Sequence, residues 1–375
     1  MATQAFDNKK YLLIQRREIL KRIKAFGDKL YLEFGGKLFD DFHAARVLPG
    51  FEPDAKIKML LGLKDKIEII ITVNSDDIIS NKARNDSGIS YQDEVKRLID
   101  AFKDIKLYVS SVVFSFYKDN PQLVNFINFL QAKKIRVYKH YQIEGYPNNV
   151  ELVVSDAGLG KNEYVETSRP LVVVTAPGPG SGKMATCLSQ LYHEHLKGIN
   201  AGYAKFETFP IWNLPLNHPV NLAYEAATAD LNDSNMIDPF HLEAYGVATV
   251  NYNRDVEIFP VLNTIFENIY GSSPYKSPTD MGVNMAGNCI IDDDAVRYAS
   301  KQEIIRRYYK ALCDKRKGID STKEIERLEV VMNKAGVTVN DRKVATVAKK
   351  VAEETGVPSA AIELRDGTIL TGKTK

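Results

Sequence analysis

Two patterns of hydrophobic residues alternate along the chain, and together they predict most of its strands and helices. Short, continuous runs rich in β-branched residues are typical of strands buried on both faces, whereas apolar residues three or four apart indicate the buried side of a helix. The predicted strands are 31–34, 67–73, 107–116, 136–140, 150–154, 171–175, 202–208 and 247–250. The predicted helices are 9–26, 93–102, 121–134, 184–196, 220–231, 256–269, 292–317, 321–335 and 342–354. A hairpin of residues 360–364 and 368–371 follows, around Asp366 and Gly367.

This alternation of strands and helices predicts an α/β fold. Strands joined through helices of about 10–15 residues form crossover units, so we expect a mainly parallel sheet with helices on both faces. Residues 1–235 are the predicted α/β domain, which contains a P-loop-like turn. Residues 236–335 are predicted to be a mostly helical region packed on it, and residues 336–375 the start of a smaller, truncated C-terminal α/β domain. Ser321 and Glu324 have the spacing of a capping box.

The stretch 171–197 carries the most specific pattern. Its strand breaks at Pro177 into the run PGPGSG, and a helix is predicted directly after Lys183. Glycine-rich turns can point several backbone N–H groups at one place, and the N-terminus of the following helix favours negative charge there. We therefore predict an anion-binding turn. The alternative is that the glycines only make a tight connection between a strand and a helix.

The turn resembles a phosphate-binding P-loop, G-x-x-x-x-G-K-[ST], but departs from it at two positions. Pro177 stands at the first glycine, and Met184 stands where a serine or threonine holds magnesium. Thr186 lies two residues further on and is expected to face another side of the helix. The predicted phosphate or nucleotide contacts are Gly178, Gly180, Ser181, Gly182, Lys183, Met184, Ala185 and Arg254.

Further candidates follow later strands, because ligands of parallel sheets bind beyond the carboxyl ends of the strands. Lys205 and Glu207 end the strand after the turn, and Lys205 is either a phosphate contact or an ordinary surface lysine. Arg254 could clamp a phosphate. Asp255 could contact a metal or a hydroxyl, the alternative being an N-cap beside an ion pair. Asp280 is the strong acid of a second tight loop and the predicted metal ligand.

A second glycine turn follows the first predicted strand. Gly35, Gly36 and Lys37 could contact a ligand there, although a lone Gly-Gly-Lys is common in loops. His43 follows closely and is interpreted as a capping or packing residue and not as a ligand.

Composition limits the classes of function. The chain of 375 residues carries 50 basic and 48 acidic residues, a net charge of +2, so no overall field indicates a nucleic acid or a membrane as partner. The N-terminal residues are polar and no apolar run reaches the ~20 residues of a membrane span, so we expect a cytoplasmic protein. The 3 cysteines lie far apart without a CxxC pair, which suits a reducing compartment, and no zinc is expected.

Four long motifs are specific enough to compare with known families. They are EFGGKLFDDFHAARVLPGFEPDAK (33–56), ETSRPLVVVTAPGPGSGKMATCLSQLYHE (166–194), AGYAKFETFPIWNLPLNHPVNLAYEAATADL (201–231) and NYNRDVEIFPVL (251–262). Over essentially its whole length the chain resembles an uncharacterised bacterial family built on a domain of unknown function. Members of that family are usually longer at the C-terminus, so the resemblance implies that this chain is a truncated form.

Some members of that family carry the label ATP-dependent peptidase, which the residues here do not favour. The histidines of the run 193–195 are two residues apart and cannot share one helix face, as the zinc ligands of HExxH do. A G-x-S-x-G nucleophile elbow is also missing from the sequence.

The layout of residues 170–210 is also similar to the nucleotide-binding region of dethiobiotin synthetase and formate–tetrahydrofolate ligase. Those enzymes activate a carboxylate by phosphoryl transfer. The resemblance implies ATP and Mg²⁺ as cofactors, with Lys183 neutralising charge on the transferring group and Lys205 assisting it. It further implies that Asp255 or Asp280 holds the magnesium ion. Lys183, Lys205 and Asp255 are accordingly the predicted catalytic residues.

Three functions from different classes remain open at this stage. The first is ATP-dependent phosphoryl transfer or ligation on a small metabolite. The second is non-catalytic binding of a nucleotide or phosphorylated metabolite by a regulatory protein, and the third is an oligomeric structural protein whose glycine turn is architectural. A homo-oligomer, most simply a two-fold dimer, is expected from the apolar helices and the 19 tyrosines.

Overall fold

The computed structural model describes residues 4–27, 29–36, 38–84, 88–206, 210–364 and 366–375. The helices are α1 (Asn8–Ala25), α2 (Phe42–Val47), α3 (Ala55–Leu61), α4 (Ser75–Ile79), α5 (Tyr91–Asp104), α6 (Pro121–Ala132), α7 (Val150–Val153), α8 (Lys183–Leu196), α9 (Pro219–Ala227), α10 (Pro239–Tyr245), α11 (Asn253–Tyr270), α12 (Pro278–Met281), α13 (Asp293–Arg316), α14 (Thr322–Ala335) and α15 (Lys343–Thr355). The strands are β1 (Leu30–Phe34), β2 (Ile67–Asn74), β3 (Tyr108–Ser115), β4 (Arg136–Lys139), β5 (Leu171–Thr175), β6 (Gly202–Phe206), β7 (Asn235–Ile237), β8 (Val250–Tyr252), β9 (Gly282–Val283), β10 (Ser359–Glu363) and β11 (Ile369–Lys373).

One parallel sheet organises the molecule. It has 7 strands in the order β4-β3-β2-β5-β1-β6-β9 among the described residues, and all neighbouring strands run parallel. Strands β1 and β5 are buried on both faces, which explains their continuous apolar sequences. The predicted α/β fold with a mainly parallel sheet is confirmed. The hairpins β7–β8 and β10–β11 are antiparallel.

Helices cover both faces of the sheet, as predicted. Leu32 and Val173 point to the face that α1, α3, α5 and α6 cover. Tyr31, Val172 and Tyr203 are paired in register and point to the opposite face, which α8 and α11 cover. Within the described ranges, no helix is long and apolar enough to cross a membrane.

A helical region packs beside the sheet, around a core of its own. Val47 of α2, Leu222 of α9, Ile304 of α13 and Leu328 of α14 are fully buried in this core. The predicted helical region therefore exists, but α2 and α9 from the first part of the chain belong to it. The proposed boundary after residue 235 falls inside the β7–β8 hairpin, and β9 from the later segment joins the sheet.

The strand predicted over residues 150–154 is wrong. This segment is the short helix α7. Asn149 precedes it, and its side chain accepts a hydrogen bond from the Leu152 N–H, which caps a helical turn. The apolar run was too short for its period to distinguish a strand from a buried helical turn.

Two smaller predictions also need correction. Ser321 makes no capping hydrogen bond to α14, because its hydroxyl donates to the Ile319 carbonyl oxygen (3.4 Å). The strand predicted over 247–250 begins only at Val250, where the chain meets its partner strand β7.

The glycine turn lies where the chain reverses the direction in which it adds strands to the sheet. From β2 the chain continues through α5 to β3 on one side, whereas from β5 it continues through α8 and over β1 to β6 on the other. Such a switch point opens a crevice at the carboxyl ends of the strands, which is where ligands of open α/β sheets bind.

Candidate phosphate-binding site

The turn between β5 and α8 contains two residues with a left-handed backbone conformation. Gly180 (φ 71°) and Gly182 (φ 81°) are in the left-handed region, which glycine tolerates best. Gly182 is the N-cap of α8, which begins at Lys183, and none of the described side chains makes a capping hydrogen bond there. Successive turn residues of this kind direct their N–H groups towards one concavity.

Three side chains hold the turn in place. The Ser181 hydroxyl donates to the Gly178 carbonyl oxygen (3.0 Å), and the Ser115 hydroxyl at the end of β3 donates to the Ser181 carbonyl oxygen (3.1 Å). Arg84 donates to the Pro177 carbonyl oxygen (3.0 Å). The carbonyl groups of Pro177, Gly178 and Ser181 are therefore engaged by the protein.

The N–H groups of the turn have no acceptor. Within the described part of the chain, none of the backbone amides of residues 180–185 donates a hydrogen bond. The first turn of any helix has such unpaired donors, but here the set extends upstream to Gly180. Backbone donors of this number around a left-handed turn suit the oxygens of a phosphate.

Lys183 supplies a positive charge next to these donors. It is partly buried, and its ammonium forms no hydrogen bond or ion pair with the residues that the structure describes. Burial lowers the pKa of Lys183, Glu33 opposes this, and Lys205 and Arg254 lower it further. Three cationic groups therefore lie within electrostatic reach of one another, and an anion among them would relieve their repulsion.

Lys205 lies on β6, two strands from the turn, and is already paired. Its Nζ is 2.6 Å from Asp255 Oδ1, and the two side chains are 19% and 11% exposed. Burial lowers the pKa of Lys205, but the charges of Asp255 and Glu33 outweigh it and raise that pKa. The ammonium is thus charged at neutral pH and paired with Asp255.

Glu33 is a buried acid at the centre of this site. It lies on β1, directly between Val174 of β5 and Lys205 of β6 in the sheet register. The Tyr203 hydroxyl donates to Glu33 Oε2 (2.6 Å). Sequence reasoning missed Glu33, although its position as the one charged residue in a buried apolar strand was a usable signal.

Arg254 and Asp255 lie in the first turn of α11 and not in a loop. That helix begins at Asn253, three residues before its predicted start, and its N-cap is Tyr252, so Asp255 is not an N-cap. Asp255 is buried against Lys205, whereas Arg254 is half-exposed with its Nη2 3.3 Å from Asp233 Oδ2. The predicted partners Lys183, Lys205, Asp255 and Arg254 therefore gather at one edge of the sheet.

The positions predicted to hold magnesium are arranged differently. Met184 is partly buried in the first turn of α8, and Thr186 is fully buried with its hydroxyl unpaired. Asp280 lies in α12, just before the edge strand β9, where its carboxylate accepts hydrogen bonds from the Tyr245 hydroxyl (3.0 Å) and the Lys276 N–H (2.9 Å). Among the described residues, no group of three or more His, Cys, Asp or Glu side chains could hold a metal.

Two sequence candidates lie outside the described residues, namely Lys37 and Glu207. Gly35 and Gly36, which precede Lys37, follow β1 with open space around them. His43 is a packing residue, as interpreted, with its Nδ1 3.1 Å from Glu303 Oε1 and its ring edge-on to Tyr224.

Comparison with known proteins places the chain in a family. The family model "Domain of unknown function DUF1846, N-terminal" matches residues 4–336. The UPF0371 protein of Streptococcus equi subsp. zooepidemicus is 58% identical over 374 residues, which cover 100% of this chain and 76% of the relative. The UPF0371 protein of Streptococcus sanguinis is 59% identical over 370 residues, which cover 99% of this chain and 75% of the relative.

A third relative has the same relationship to the chain. The UPF0371 protein of Streptococcus uberis is 59% identical over 375 residues, 100% of this chain and 76% of the relative. These names identify a family and no activity, and the resemblance inferred from the four sequence motifs is confirmed. The chain belongs to the DUF1846 domain family, with the UPF0371 proteins of streptococci among its relatives.

Proposed function

We propose that this protein binds the phosphate group of a small molecule, a nucleotide or a phosphorylated metabolite, at the turn 177–183. The phosphate oxygens accept hydrogen bonds from the free N–H groups of Gly180, Ser181 and Gly182 and from the first turn of α8. The Lys183 ammonium then lies beside them and neutralises part of the charge.

The observation that carries this proposal is the state of Lys183. A partly buried ammonium without an ion-pair partner among the described residues, close to two other cations, is unfavourable in the free protein. Such an arrangement is typical of a site that a charged ligand completes. An architectural glycine turn needs no lysine in this position.

Two alternatives make different predictions. ATP-dependent phosphoryl transfer or ligation would use Lys183, Lys205 and Asp255 with Mg²⁺ and would give a product. A purely architectural turn would give neither binding nor turnover. Because Asp255 is already paired with Lys205, the geometry favours binding over metal-dependent transfer.

A thermal-shift screen tests the proposal. The full chain is heated with inorganic phosphate, AMP, ADP and ATP and with sugar phosphates, each with and without Mg²⁺. We expect at least one phosphate compound to raise the midpoint, because a ligand that binds only the folded state stabilises it by RT ln(1 + [L]/Kd). Release of phosphate from ATP, measured in parallel, would identify an enzyme.

Substitution of single lysines shows whether the ligand that raises the thermal midpoint binds at the turn. Lys183→Met should lose the ligand-dependent shift, whereas Lys276→Met should keep it, because Lys276 is an exposed lysine of the same charge. A shift that survives Lys183→Met unchanged would show that the ligand binds elsewhere and would reject this assignment.

A further inference from the structure

We propose that Lys205 takes the place of a divalent cation in this site, so that the turn binds a phosphate group without Mg²⁺. This inference rests on the proposed function and narrows its ligand class. It concerns the pair Lys205–Asp255, which the phosphate-binding proposal itself does not require.

The first observation is the residue after the P-loop lysine. In metal-dependent P-loops a serine or threonine hydroxyl at this position binds Mg²⁺. Here the position holds Met184, and a thioether is a poor ligand for a hard cation that prefers oxygen. The next hydroxyl, on Thr186, is fully buried within α8 and cannot replace it.

The second observation is the carboxylate that a metal would need. Asp255 lies at the N-terminus of α11 at the edge of the site, but Lys205 Nζ is 2.6 Å from its Oδ1. Both side chains are largely buried, so a divalent cation would have to displace a desolvated ammonium from its acid. The neighbouring acid, Glu33, accepts a hydrogen bond from the Tyr203 hydroxyl (2.6 Å).

The third observation is what Lys205 still offers. An ammonium has three donors, and Asp255 accepts one of those of Lys205, so others stay available to a ligand oxygen. Lys205 lies close enough to lower the pKa of Lys183. Two ammonium groups suit a phosphate dianion, whose charge Mg²⁺ would otherwise offset.

The ligand class that follows is a free phosphate dianion or a phosphomonoester. Inorganic phosphate and AMP present such a group. A nucleoside triphosphate carries more negative charge and is usually accompanied by Mg²⁺ in proteins, which this site does not accommodate.

The experiment compares buffers with EDTA and with MgCl₂, using the full chain and three probes: inorganic phosphate, AMP and ATP. We expect phosphate or AMP to raise the thermal midpoint equally in both buffers. Stabilisation that appears only with Mg²⁺ would overturn the inference and leave the phosphate site intact. If no probe acts in either buffer, the proposed function fails and this inference with it.

Binding of Mn²⁺, followed by loss of its free electron paramagnetic resonance signal, gives a second readout. Lys205→Met leaves Asp255 without its ion-pair partner, and we expect this variant to bind Mn²⁺ at least about tenfold more tightly than the wild type. Mn²⁺ binding by the wild type that is lost in Asp255→Asn would contradict the inference.

A matched control separates this effect from general damage. Lys56→Met also breaks a buried lysine–aspartate pair, with Lys56 Nζ 2.9 Å from Asp41 Oδ2, in the segment of α2 and α3. We expect it to leave both phosphate binding and Mn²⁺ binding at the wild-type level. If Lys56→Met gains Mn²⁺ affinity as Lys205→Met does, the result overturns the specific role of Lys205.

Discussion

At the scale of single residues, the three cationic side chains of the candidate site differ in their acidic partners. Lys205 has a buried acid as partner, Arg254 has a half-exposed pair with Asp233, and Lys183 has no partner among the described residues. The pKa values of the two lysines differ in the same sense: that of Lys205 is raised by Asp255 and Glu33 against the effect of burial, and that of Lys183 is lowered by burial. The unpaired lysine is thus the one that the proposed ligand would complete.

Lys183→Met should therefore stabilise the free protein. The folded state lowers the pKa of Lys183, so the charged ammonium destabilises the folded protein. This destabilisation is complete below the lowered pKa and disappears as the pH rises towards the ordinary value of 10.5. Removing the ammonium should raise the free energy of unfolding at neutral pH by about 0.5–2 kcal/mol. Urea unfolding at neutral and at high pH measures this, and a less stable variant at neutral pH would contradict it.

At the scale of elements, the glycine turn combines packing and conformation. A Cβ on Gly178 would lie 2.2 Å from the hydroxyl oxygen of the buried Tyr91, and one on Gly182 would lie 2.7 Å from Ser115 Cβ. Around Gly180 there is open space, and only its positive φ excludes other residues. Two glycines are thus explained by close packing, and the third leaves room for a ligand.

Substitutions by alanine should distinguish close packing from left-handed backbone conformation as the reason for each glycine. Gly180→Ala should cost about 1–2 kcal/mol, the cost of a left-handed backbone. Gly182→Ala should cost more, because it adds a contact with Ser115 to the same strain. Gly246→Ala, at the end of α10 with φ 68° and open space, is the control for Gly180→Ala. Equal losses at 180 and 182 in urea unfolding would refute the packing explanation.

The junction of α2 and α13 depends on one buried carboxylate. Glu303 accepts hydrogen bonds from Arg46 (2.9 Å) and Arg306 (2.6 Å) and contacts His43 (3.1 Å). Burial raises the pKa of Glu303, but Arg306, His43 and Arg307 outweigh this and hold it well below its usual range. The carboxylate therefore stabilises the fold above the ordinary carboxyl pKa of 4.5 and loses this effect as the pH falls below it.

Glu303→Gln should cost about 1.5–3 kcal/mol at neutral pH, because it replaces charge-assisted hydrogen bonds from the partly exposed guanidinium groups of Arg46 and Arg306 by neutral ones. The difference from the wild type should shrink as the pH falls below 4.5. Urea unfolding at a series of pH values measures it. Glu329→Gln, which changes an exposed acid on α14, serves as control and should have little effect. A loss that is independent of pH would argue against the electrostatic explanation.

Sequence periodicity identified most elements but not how they meet. The β-branched run of β5 and the glycines after it were sufficient to predict the turn, since both signals are local. The register that brings Glu33 beside Lys205 is a property of strands far apart in the chain, and no local pattern reports it. For the same reason Asp255 could be interpreted as a cap until its pairing across the sheet was known.

At the scale of the whole molecule, the sheet and the helices α8 and α11 that cover it carry the candidate site, whereas the C-terminal segment stands apart. No residue of α15 is buried, and its main packing partners are β10, β11 and the turn of residues 339–341. Gln302 links this segment to α13 by hydrogen bonds with Asp341 and Arg342. The family match ends at residue 336, just before it.

Truncation after Arg342 should therefore leave the site intact. We expect the unfolding free energy of the remaining chain to change by no more than about 0.5 kcal/mol, as for changes at exposed positions, and its response to phosphate ligands to stay the same. Thermal and urea unfolding of both chain lengths measure this. Loss of the phosphate response on truncation would mean that the C-terminal segment contributes to the site.

Hydrogen exchange at the turn tests the central claim most directly. Mass spectrometry of peptides that cover residues 176–186 reports the protection of the backbone N–H groups, with inorganic phosphate as probe. The account predicts that phosphate protects this segment in the wild-type protein and fails to do so in Lys183→Met. Phosphate-dependent protection that spares this segment and appears elsewhere, or that persists in Lys183→Met, would contradict it.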